Sequence, residues 1–445
     1  MPKARTQSLA GQTLIAFLGN SGAYVVAILT GVVVARVLGP AGKGVASYAS
    51  LVLMLFATFG TGLQEGIMYE CGRNGSSQPL VYGAAMRLLG LTMLPIAALL
   101  FAVALLFPSH AAFAYVACAL PFVVYIQIAN GIFLLNNDVR ATVVQGSIPT
   151  LGVAVLTIPA LTMFHGGLTA VLAIWAAMYA VSGCYAMLRL NVYLPALSLA
   201  GSWTLVREQA WFGFKAGSTS LTNFLNLRID VFVVSVMLDA RTLGIYTLAV
   251  ATGELMWQVS RPLVWSASGR IAAAERTVAI ALTGAVTRNI LAAECVLGAL
   301  IFGLAPYAVR LVYGPAYAES GSIVLWLLPG LVLYAAQGPI ALFLTVKEGK
   351  PMLTLAIQVA SVLACATISV LTIHRLNIFG AALATTVTYC CAAVASGVLF
   401  ARAPGAPAAS FTLLQPQDWD RLRTLLKRLV PVRSARPDRV GAELS

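Results

Sequence analysis

The feature that most restricts the fold of this chain is a series of apolar runs, each long enough to cross a membrane. A transmembrane helix needs roughly 20 apolar residues to span a hydrocarbon core about 30 Å thick. The runs are about twice as long as a membrane-barrel strand and do not alternate apolar with polar residues. The sequence therefore predicts an all-α integral membrane protein with twelve transmembrane helices. The predicted spans cover residues 13–35, 44–64, 80–107, 112–135, 143–164, 167–188, 213–238, 244–267, 285–306, 322–345, 353–373 and 378–400.

The composition fits a membrane protein better than a nucleic-acid-binding protein. Hydrophobic residues make up 60% of the 445 residues and charged residues 10%, whereas an ordinary soluble domain carries about 25% charged residues. The net charge of +13 comes from short basic clusters between apolar runs, so the sequence indicates no contiguous basic surface. Membrane lipids are therefore expected partners and nucleic acid is not.

The distribution of lysine and arginine predicts the orientation. An even number of spans places both termini on one side, and basic residues concentrate on the cytoplasmic side. With a cytoplasmic N-terminus, 22 of the 28 basic residues lie at cytoplasmic ends and loops, and Arg228 lies inside a span. We therefore expect both termini in the cytoplasm. The outer side keeps five basic residues: Arg36, Lys43, Arg241, Arg310 and Arg375.

A weak internal repeat predicts two six-helix lobes with a pseudo-two-fold relation. At an offset of 200 residues, "LGPAGKGVASYA" (38–49) lies over "LDARTLGIYTLA" (238–249) and matches Gly44 with Gly244. Repeats of six spans run in the same direction, so their symmetry axis would follow the membrane normal, and their interface is the expected place for a substrate. The predicted division is an N-terminal lobe at 1–189, a cytoplasmic connecting loop at 190–212, a C-terminal lobe at 213–401 and a basic amphipathic cytoplasmic tail at 402–445.

The seventh span carries the densest intramembrane polar residues. Asn223, Asn226 and Asp230 share one helical face with Ser220, because their spacing is three or four residues. Arg228 lies on another face and needs a second helix, an anionic ligand or the membrane interface to satisfy it. A cavity-lining role for this span and a structural pairing between helices both remain open.

The remaining polar residues form weaker patterns. In the eighth span Glu254 shares a face with Gln258 and Arg261, so it either takes up a proton or a coupling cation, or pairs permanently with Arg261. Asn130 in the fourth span and Asn20 in the first either contact a substrate or join helices. Glu294 lies about two turns into the ninth span.

Several chemistries have no support in the sequence. No phosphate-binding loop of the GxxxxGKS type occurs, and no nucleophile stands beside a general base. The seven cysteines form no CxxC pair, so neither a zinc site nor a disulfide framework is indicated. We therefore expect no enzymatic activity and no cofactor.

The motifs resemble those of polysaccharide transporters, of the O-antigen and exopolysaccharide flippase type, in the multidrug/oligosaccharidyl-lipid/polysaccharide flippase superfamily. The resemblance rests on "ARVLGPAGKGVASYA" after the first span, "GTGLQEGIMY" at the end of the second, "RIDVFVVSVML" in the seventh and "LGIYTLAVATGELMWQVSRPLVWSASGRIA" after it. The twelve-span plan extends this similarity over nearly the whole chain.

The resemblance implies a function and a set of site residues. It implies a bacterial inner-membrane flippase that moves polyprenyl-diphosphate-linked oligosaccharide to the periplasmic leaflet for lipopolysaccharide or exopolysaccharide biosynthesis. It also implies alternating access, an H⁺ or Na⁺ gradient as driving force, and other polysaccharide assembly proteins as partners. Carried over to this chain, Arg36 and Arg228 are candidate contacts for the diphosphate or for acidic sugars, and Asp230 and Glu254 are candidates for coupling. Twelve spans disfavour a peptidoglycan precursor as substrate, since such relatives usually have fourteen.

Three other functions compete with this prediction. A cation-coupled multidrug exporter of the same superfamily should have an acidic, aromatic cavity, which the arginines argue against. A membrane saccharide polymerase or ligase should have a large outer loop, and the outer loops here are short. A non-transporting scaffold would leave the intramembrane polar residues without a role.

Overall fold

The computed structural model describes residues 9–72, 74–194, 202–403 and 409–412, without the side chains of 9–21, 409 and 410. All regular structure in these ranges is helical, as predicted. A four-residue helix, α13 (Ala409–Thr412), follows the long ones. The long helices are α1 (Leu9–Gly72), α2 (Gln78–Leu106), α3 (Ala112–Leu135), α4 (Val139–Thr162), α5 (Leu168–Leu190), α6 (Trp203–Met237), α7 (Ala240–Glu254), α8 (Trp257–Ala273), α9 (Arg276–Tyr313), α10 (Ala318–Leu342), α11 (Pro351–Leu376) and α12 (Ile378–Ala401).

The helices account for the twelve predicted spans. In the described part of the chain, 10 helical segments are long and apolar enough to cross a membrane. The first of these contains two predicted spans, because α1 continues through a kink. The eighth predicted span is divided between α7 and α8, which have 15 and 17 residues. The protein is therefore a multi-pass membrane protein with the predicted fold class.

The junction of the first two spans is a kink and not the predicted loop. Gly39 adopts φ 67°, a left-handed conformation that glycine reaches at no steric cost. Pro40 follows and has no N–H to donate to the preceding turn. The helix resumes at once after Pro40, so Lys43 lies on a helix and not in an outer loop.

Two other helix boundaries differ from the prediction. α6 begins at Trp203, well before the predicted start at 213, because the Ser202 hydroxyl caps it by accepting from the Leu205 N–H at 3.2 Å. The eighth span breaks at Leu255 and Met256, close to Gly253, a residue type that weakens helices. Of the predicted tail at 402–445, residues 404–408 and 413–445 lie outside the described residues.

The chain forms two compact units, which we call the first and second units. The first comprises residues 1–255, 300–331 and 355–391, and the second comprises 256–299, 332–354 and 392–445. In the first unit, α1 packs against α3, α4, α6 and α7, and a large apolar core joins α1, α2, α3 and α5. In the second unit, a smaller core surrounds Phe343 and Phe400. The division into two six-helix lobes stays a prediction.

Residues matched by the predicted repeat contact each other within the first unit. A Cβ built on Gly44 would overlap the carbonyl of Ala240, and one built on Gly244 would overlap the carbonyl of Pro40. One turn further, the Thr247 hydroxyl donates to the Ser47 hydroxyl at 3.2 Å. Glycines let membrane helices approach closely, so α1 and α7 meet backbone to backbone at equivalent positions of the repeat.

An ionic cluster joins α4 to the end of α5. Oδ2 of Asp138 accepts from Arg189 Nη2 at 2.7 Å and from the Tyr193 hydroxyl at 2.6 Å, while Oδ1 accepts from the Ala141 N–H at 3.1 Å. Burial acts to raise the pKa of the Asp138 carboxyl, but these hydrogen bonds outweigh it and hold the pKa below its ordinary value. The ionised carboxylate is therefore part of the folded structure.

Acidification should weaken this cluster. A lowered pKa means that Asp138 stabilises the fold above about pH 4, the ordinary pKa of an aspartate, and that this stabilisation is lost as the pH falls through the lowered value. We expect Asp138→Asn to melt at a lower temperature than wild type at neutral pH, in detergent, and the difference to shrink in acid. A constant difference across the acidic range would contradict this.

Candidate functional site

A cavity in the first unit is the best candidate for a substrate site. Its volume is about 410 Å³, and it lies between α1, α4, α5, α6 and α7. This size falls within the range of small-molecule sites, about 300–1,000 Å³. The wall is largely apolar, with Trp175 and Phe224 among its aromatic members, and its charged members are Lys43 and Arg228. The cavity is therefore a mainly apolar chamber with two cations.

Arg228 on α6 reaches the cavity with its charge already paired. Its Nη1 and Nη2 donate to Oε1 and Oε2 of Glu254 at 2.5 Å and 2.9 Å. This bidentate geometry is the strongest form of arginine–carboxylate pair. Glu254 ends α7, so the pair holds α6 to α7. The predicted alternative partner, Arg261, instead lies over the ring of Trp257, with its Cζ 5.5 Å from the ring centroid, within the distance of about 6 Å for a cation–π contact.

Lys43 supplies an unpaired cation to the same wall. It follows the Gly39 kink on α1 by one turn, and Ser47 and Ser50 continue the same helical face along the cavity. No described carboxylate forms an ion pair with its ammonium group. Lys43 is partly buried, and an ammonium group removed in part from water is unfavourable unless an anion joins it. The site therefore has one cation available for an anionic ligand.

Asp230, a predicted coupling residue, is fully engaged in hydrogen bonds. Oδ2 accepts from the Tyr246 hydroxyl at 2.6 Å and from the Thr385 hydroxyl at 2.9 Å, and Oδ1 accepts from the Val231 N–H at 2.8 Å. These donors tie α6 to α7 and α12. Asp230 does not line the cavity, and its described hydrogen bonds connect helices. Its coupling role stays a prediction.

Arg36, the other predicted diphosphate contact, lies away from the cavity. Its Nε and Nη2 donate to the carbonyls of Val312 and Leu311 at 2.6 Å and 2.5 Å. These carbonyls belong to the last turn of α9, where a cation is favourable because the helix dipole is negative. The Tyr317 hydroxyl donates to the adjacent Ala35 carbonyl at 3.1 Å. Arg36 therefore caps a helix end in this structure, and its contact with substrate stays a prediction.

The predicted amide residues do not gather around the cavity. Asn223 is exposed on α6, and Asn226 is buried on α6, where its backbone carbonyl accepts from the Tyr389 hydroxyl at 3.2 Å. Asn130 lies on α3 and, like the other two, is not a lining residue. The side chain of Asn20 lies outside the described residues. Of the predicted site residues whose side chains the structure describes, Arg228 alone lines the cavity, and Glu254 pairs with it.

Lys43 is the functional candidate that the sequence prediction missed. The prediction placed it in a loop, because Gly39, Pro40 and the neighbouring glycines look like a turn. The spacing of Lys43, Ser47 and Ser50, four and then three residues, is typical of one helical face. This spacing begins directly after Gly39-Pro40, and proline is well tolerated in the first turn of a helix. The sequence therefore contained a signal that Lys43 lies on a helix.

The family of the chain is established by a segment that covers more than half of it and contains the cavity. The model of the family described as "Polysaccharide biosynthesis protein" matches residues 9–268. The chain belongs to the polysaccharide biosynthesis protein family. Every residue that lines the cavity falls inside the matched range. A comparison with curated proteins finds no match.

Solved structures show the same fold in membrane transporters. The lipid II flippase MurJ, in an inward closed conformation, aligns with a TM-score of 0.75 at 12% identity, over 94% of this chain and 96% of that one. An inward-facing multidrug resistance MATE transporter of the MOP superfamily gives 0.64 at 14% identity, over 92% and 96%. The eukaryotic MATE transporter AtDTX14 gives 0.63 at 15%, over 92% and 98%. This polysaccharide biosynthesis family member therefore has the fold of MOP-superfamily flippases and transporters.

Proposed function

We propose that the protein flips polyprenyl-diphosphate-linked oligosaccharide from the cytoplasmic to the periplasmic leaflet of a bacterial inner membrane, with both termini in the cytoplasm. The oligosaccharide would serve surface polysaccharide biosynthesis, and an ion gradient would drive alternating access. The family match supports a role in polysaccharide biosynthesis, and the flippase fold supports transport of a lipid-linked substrate. The observation that carries the proposal is the cavity with its unpaired Lys43.

The charges of the cavity favour a diphosphate as the recognised group. The unpaired ammonium group of Lys43 is available to bind a phosphate. Arg228 can exchange its carboxylate partner for phosphate oxygens, which a guanidinium binds with the same bidentate geometry. Ser47, Ser50 and Thr247 line the same wall, and their hydroxyls can donate to phosphate or sugar oxygens. The apolar remainder of the wall suits the first part of a polyprenyl chain.

The alternative, a cation-coupled multidrug exporter, has the same fold but a weaker basis in this cavity. A cationic drug would need a carboxylate in the wall, and no Asp or Glu is among the lining residues. Glu254, the nearest candidate, is already held by Arg228. An anionic substrate therefore matches the site better.

Flipping of a labelled lipid in vesicles would test the proposal. The purified protein would be reconstituted with a fluorescent polyprenyl-diphosphate oligosaccharide, and the fraction that reaches the other leaflet would be measured over time. Lys43→Gln removes one charge-assisted contact, which is worth about 1.5–3 kcal/mol and corresponds to a loss of about 10- to 100-fold in apparent affinity. Lys43→Arg should retain most of the activity.

The matched control is Lys215→Gln, which removes an exposed lysine that stacks on Trp211. This variant should flip the lipid at the wild-type rate. In the host, deletion of the gene should make the lipid-linked oligosaccharide accumulate in the cytoplasmic leaflet. Unchanged glycan export after deletion, or an unaffected Lys43→Gln variant, would refute the proposal.

A further inference from the structure

The second unit contains a buried carboxylate that the cavity does not use. Glu294 lies on α9 with 0% of its surface exposed. Neither of its carboxylate oxygens accepts a hydrogen bond within the described part of the chain. Asp230 offers a contrast, because three donors hold its equally buried carboxylate. An ionised carboxylate without donors or a cation is strongly unfavourable in an apolar interior, so the position of Glu294 favours the protonated form of its side chain.

No ion pair or hydrogen bond joins Glu294 to a cation in the described part of the chain. On α8, the Ser260 hydroxyl faces it, and the next residue, Arg261, is exposed and stacked on Trp257. One turn beyond Glu294, at Gly298, the neighbours are Met256 and Val332. The part of α10 in this unit has no charged residue, and neither does the part of α12. The basic residues of the unit on α9 itself are Arg276 and Arg288, and no hydrogen bond joins Glu294 to either.

A row of hydroxyl groups leads along α9 to Glu294. Thr283 and Thr287 precede it by eleven and seven residues, so all three share one helical face over about 16 Å of helix. Both threonines are buried, at 0% and 2% exposure, and their hydroxyls have no hydrogen-bond partner among the described residues. Other helical threonines of this chain, such as Thr92 and Thr162, donate to the carbonyl four residues earlier.

We infer that Glu294 is a proton-binding site in the second unit and that the hydroxyls of Thr287 and Thr283 form part of the route by which the proton enters and leaves. The proton would arrive from water at the Arg276 end of α9, pass through water bound to the two hydroxyls, and convert the carboxylate to a carboxylic acid. Intramembrane carboxylates with such polar routes are typical of proton relays. The link to transport rests on the proposed function, whereas proton binding does not.

A proton fits this site better than a sodium ion. Sodium needs several oxygen ligands around it, as other hard cations do. The Ser260 hydroxyl faces the carboxylate, and it also donates to the Trp257 carbonyl at 3.3 Å. No group of three or more His, Cys, Asp and Glu side chains that could hold a metal ion occurs among the described residues. A single proton satisfies the carboxylate without further ligands.

Infrared spectroscopy of the purified protein in lipid would test proton binding directly. At neutral pH, wild type should show the C=O stretching band of a buried carboxylic acid, and the band should disappear on titration to high pH. Glu294→Gln keeps the shape of the side chain but cannot ionise, and its spectrum should lack the band. Glu319→Gln, which changes an exposed glutamate of α10, is the matched control and should retain it.

Flipping under an imposed pH gradient would test the link to transport. Wild type should flip the labelled lipid faster with the gradient, whereas Glu294→Gln should lose about tenfold or more of this acceleration, because its site cannot take up a proton. Thr287→Val should slow the response without removing the infrared band. If wild type shows the band but flips no lipid, the proposed function fails and the proton site stands.

Two results would overturn the inference. One is an infrared band that persists in Glu294→Gln, since the protonated group would then be another residue. The other is a wild-type protein without the band at neutral pH, in which sodium alone accelerates flipping. A correctly folded Glu294→Gln variant, judged by its melting temperature and monodispersity, excludes loss of structure as the cause of a missing band.

Discussion

Replacing Gly44 by alanine is expected to lower the free energy of unfolding by about 3 kcal/mol, at the upper end of the cost of overpacking. The added Cβ would overlap the backbone carbonyl of Ala240, which cannot move aside as a flexible side chain can. α1 and α7 would have to separate, and the hydrogen bond between Ser47 and Thr247 would be lost with the contact. Thermal melting of the detergent-solubilised protein would measure the effect.

Gly31→Ala is the matched control on the same helix. A Cβ at Gly31 meets nothing within 4 Å, and alanine is a better helix former than glycine by about 0.5–1 kcal/mol, so this variant should be neutral or slightly stabilised. Gly244→Ala should behave like Gly44→Ala, because its Cβ would overlap the Pro40 carbonyl. Equal melting temperatures for Gly44→Ala and Gly31→Ala would show that the helices do not meet as closely as described.

The sequence predicted the fold class because hydrophobic length is a direct physical requirement of the membrane. The third to sixth predicted spans agree with α2 to α5 within a few residues, since loops with strong turn residues separate these runs. Span boundaries failed where helices continue beyond the apolar core. The N-terminal extension of α6 begins after the N-cap residue Ser202 in a polar segment. Hydropathy measures only apolar character, so it does not predict a helix start that depends on an N-cap.

The candidate site was only partly predictable. Arg228 and Glu254 were evident as costly charges within apolar runs, but their pairing depends on how α6 and α7 pack. Lys43 was hidden by a motif that resembles a loop, because Gly39 alone interrupts the helix and the residues after it are helical again. Arg36 lies seven residues before Lys43, but Arg36 contacts the end of α9 whereas Lys43 lines the cavity. The spacing of the two residues in the sequence does not predict this difference.

Replacing Arg228 by alanine is expected to destabilise the protein by about 3 kcal/mol, because Glu254 would remain as a partly buried charge without its partner. The side chains of Arg228 and Glu254 are 30% and 14% exposed, which places the cost at the lower end of the range for buried pairs. The double variant Arg228→Gln/Glu254→Gln should recover most of this loss, since neither charge then remains. Melting temperatures of wild type, Arg228→Gln, Glu254→Gln and the double variant would form the cycle that isolates the pair.

The charge-reversed variant Arg228→Glu/Glu254→Arg separates the structural part of the ion pair from its part in transport. It restores the pair, so its stability should return to within about 1 kcal/mol of wild type. It also places a carboxylate in the cavity wall beside Lys43, where a diphosphate would have to bind. Like charges that face each other cost several kcal/mol, so flipping of the labelled lipid should fall by about 100-fold or more. A reversed variant that regains both stability and flipping would mean that Arg228 joins helices and does not contact the substrate.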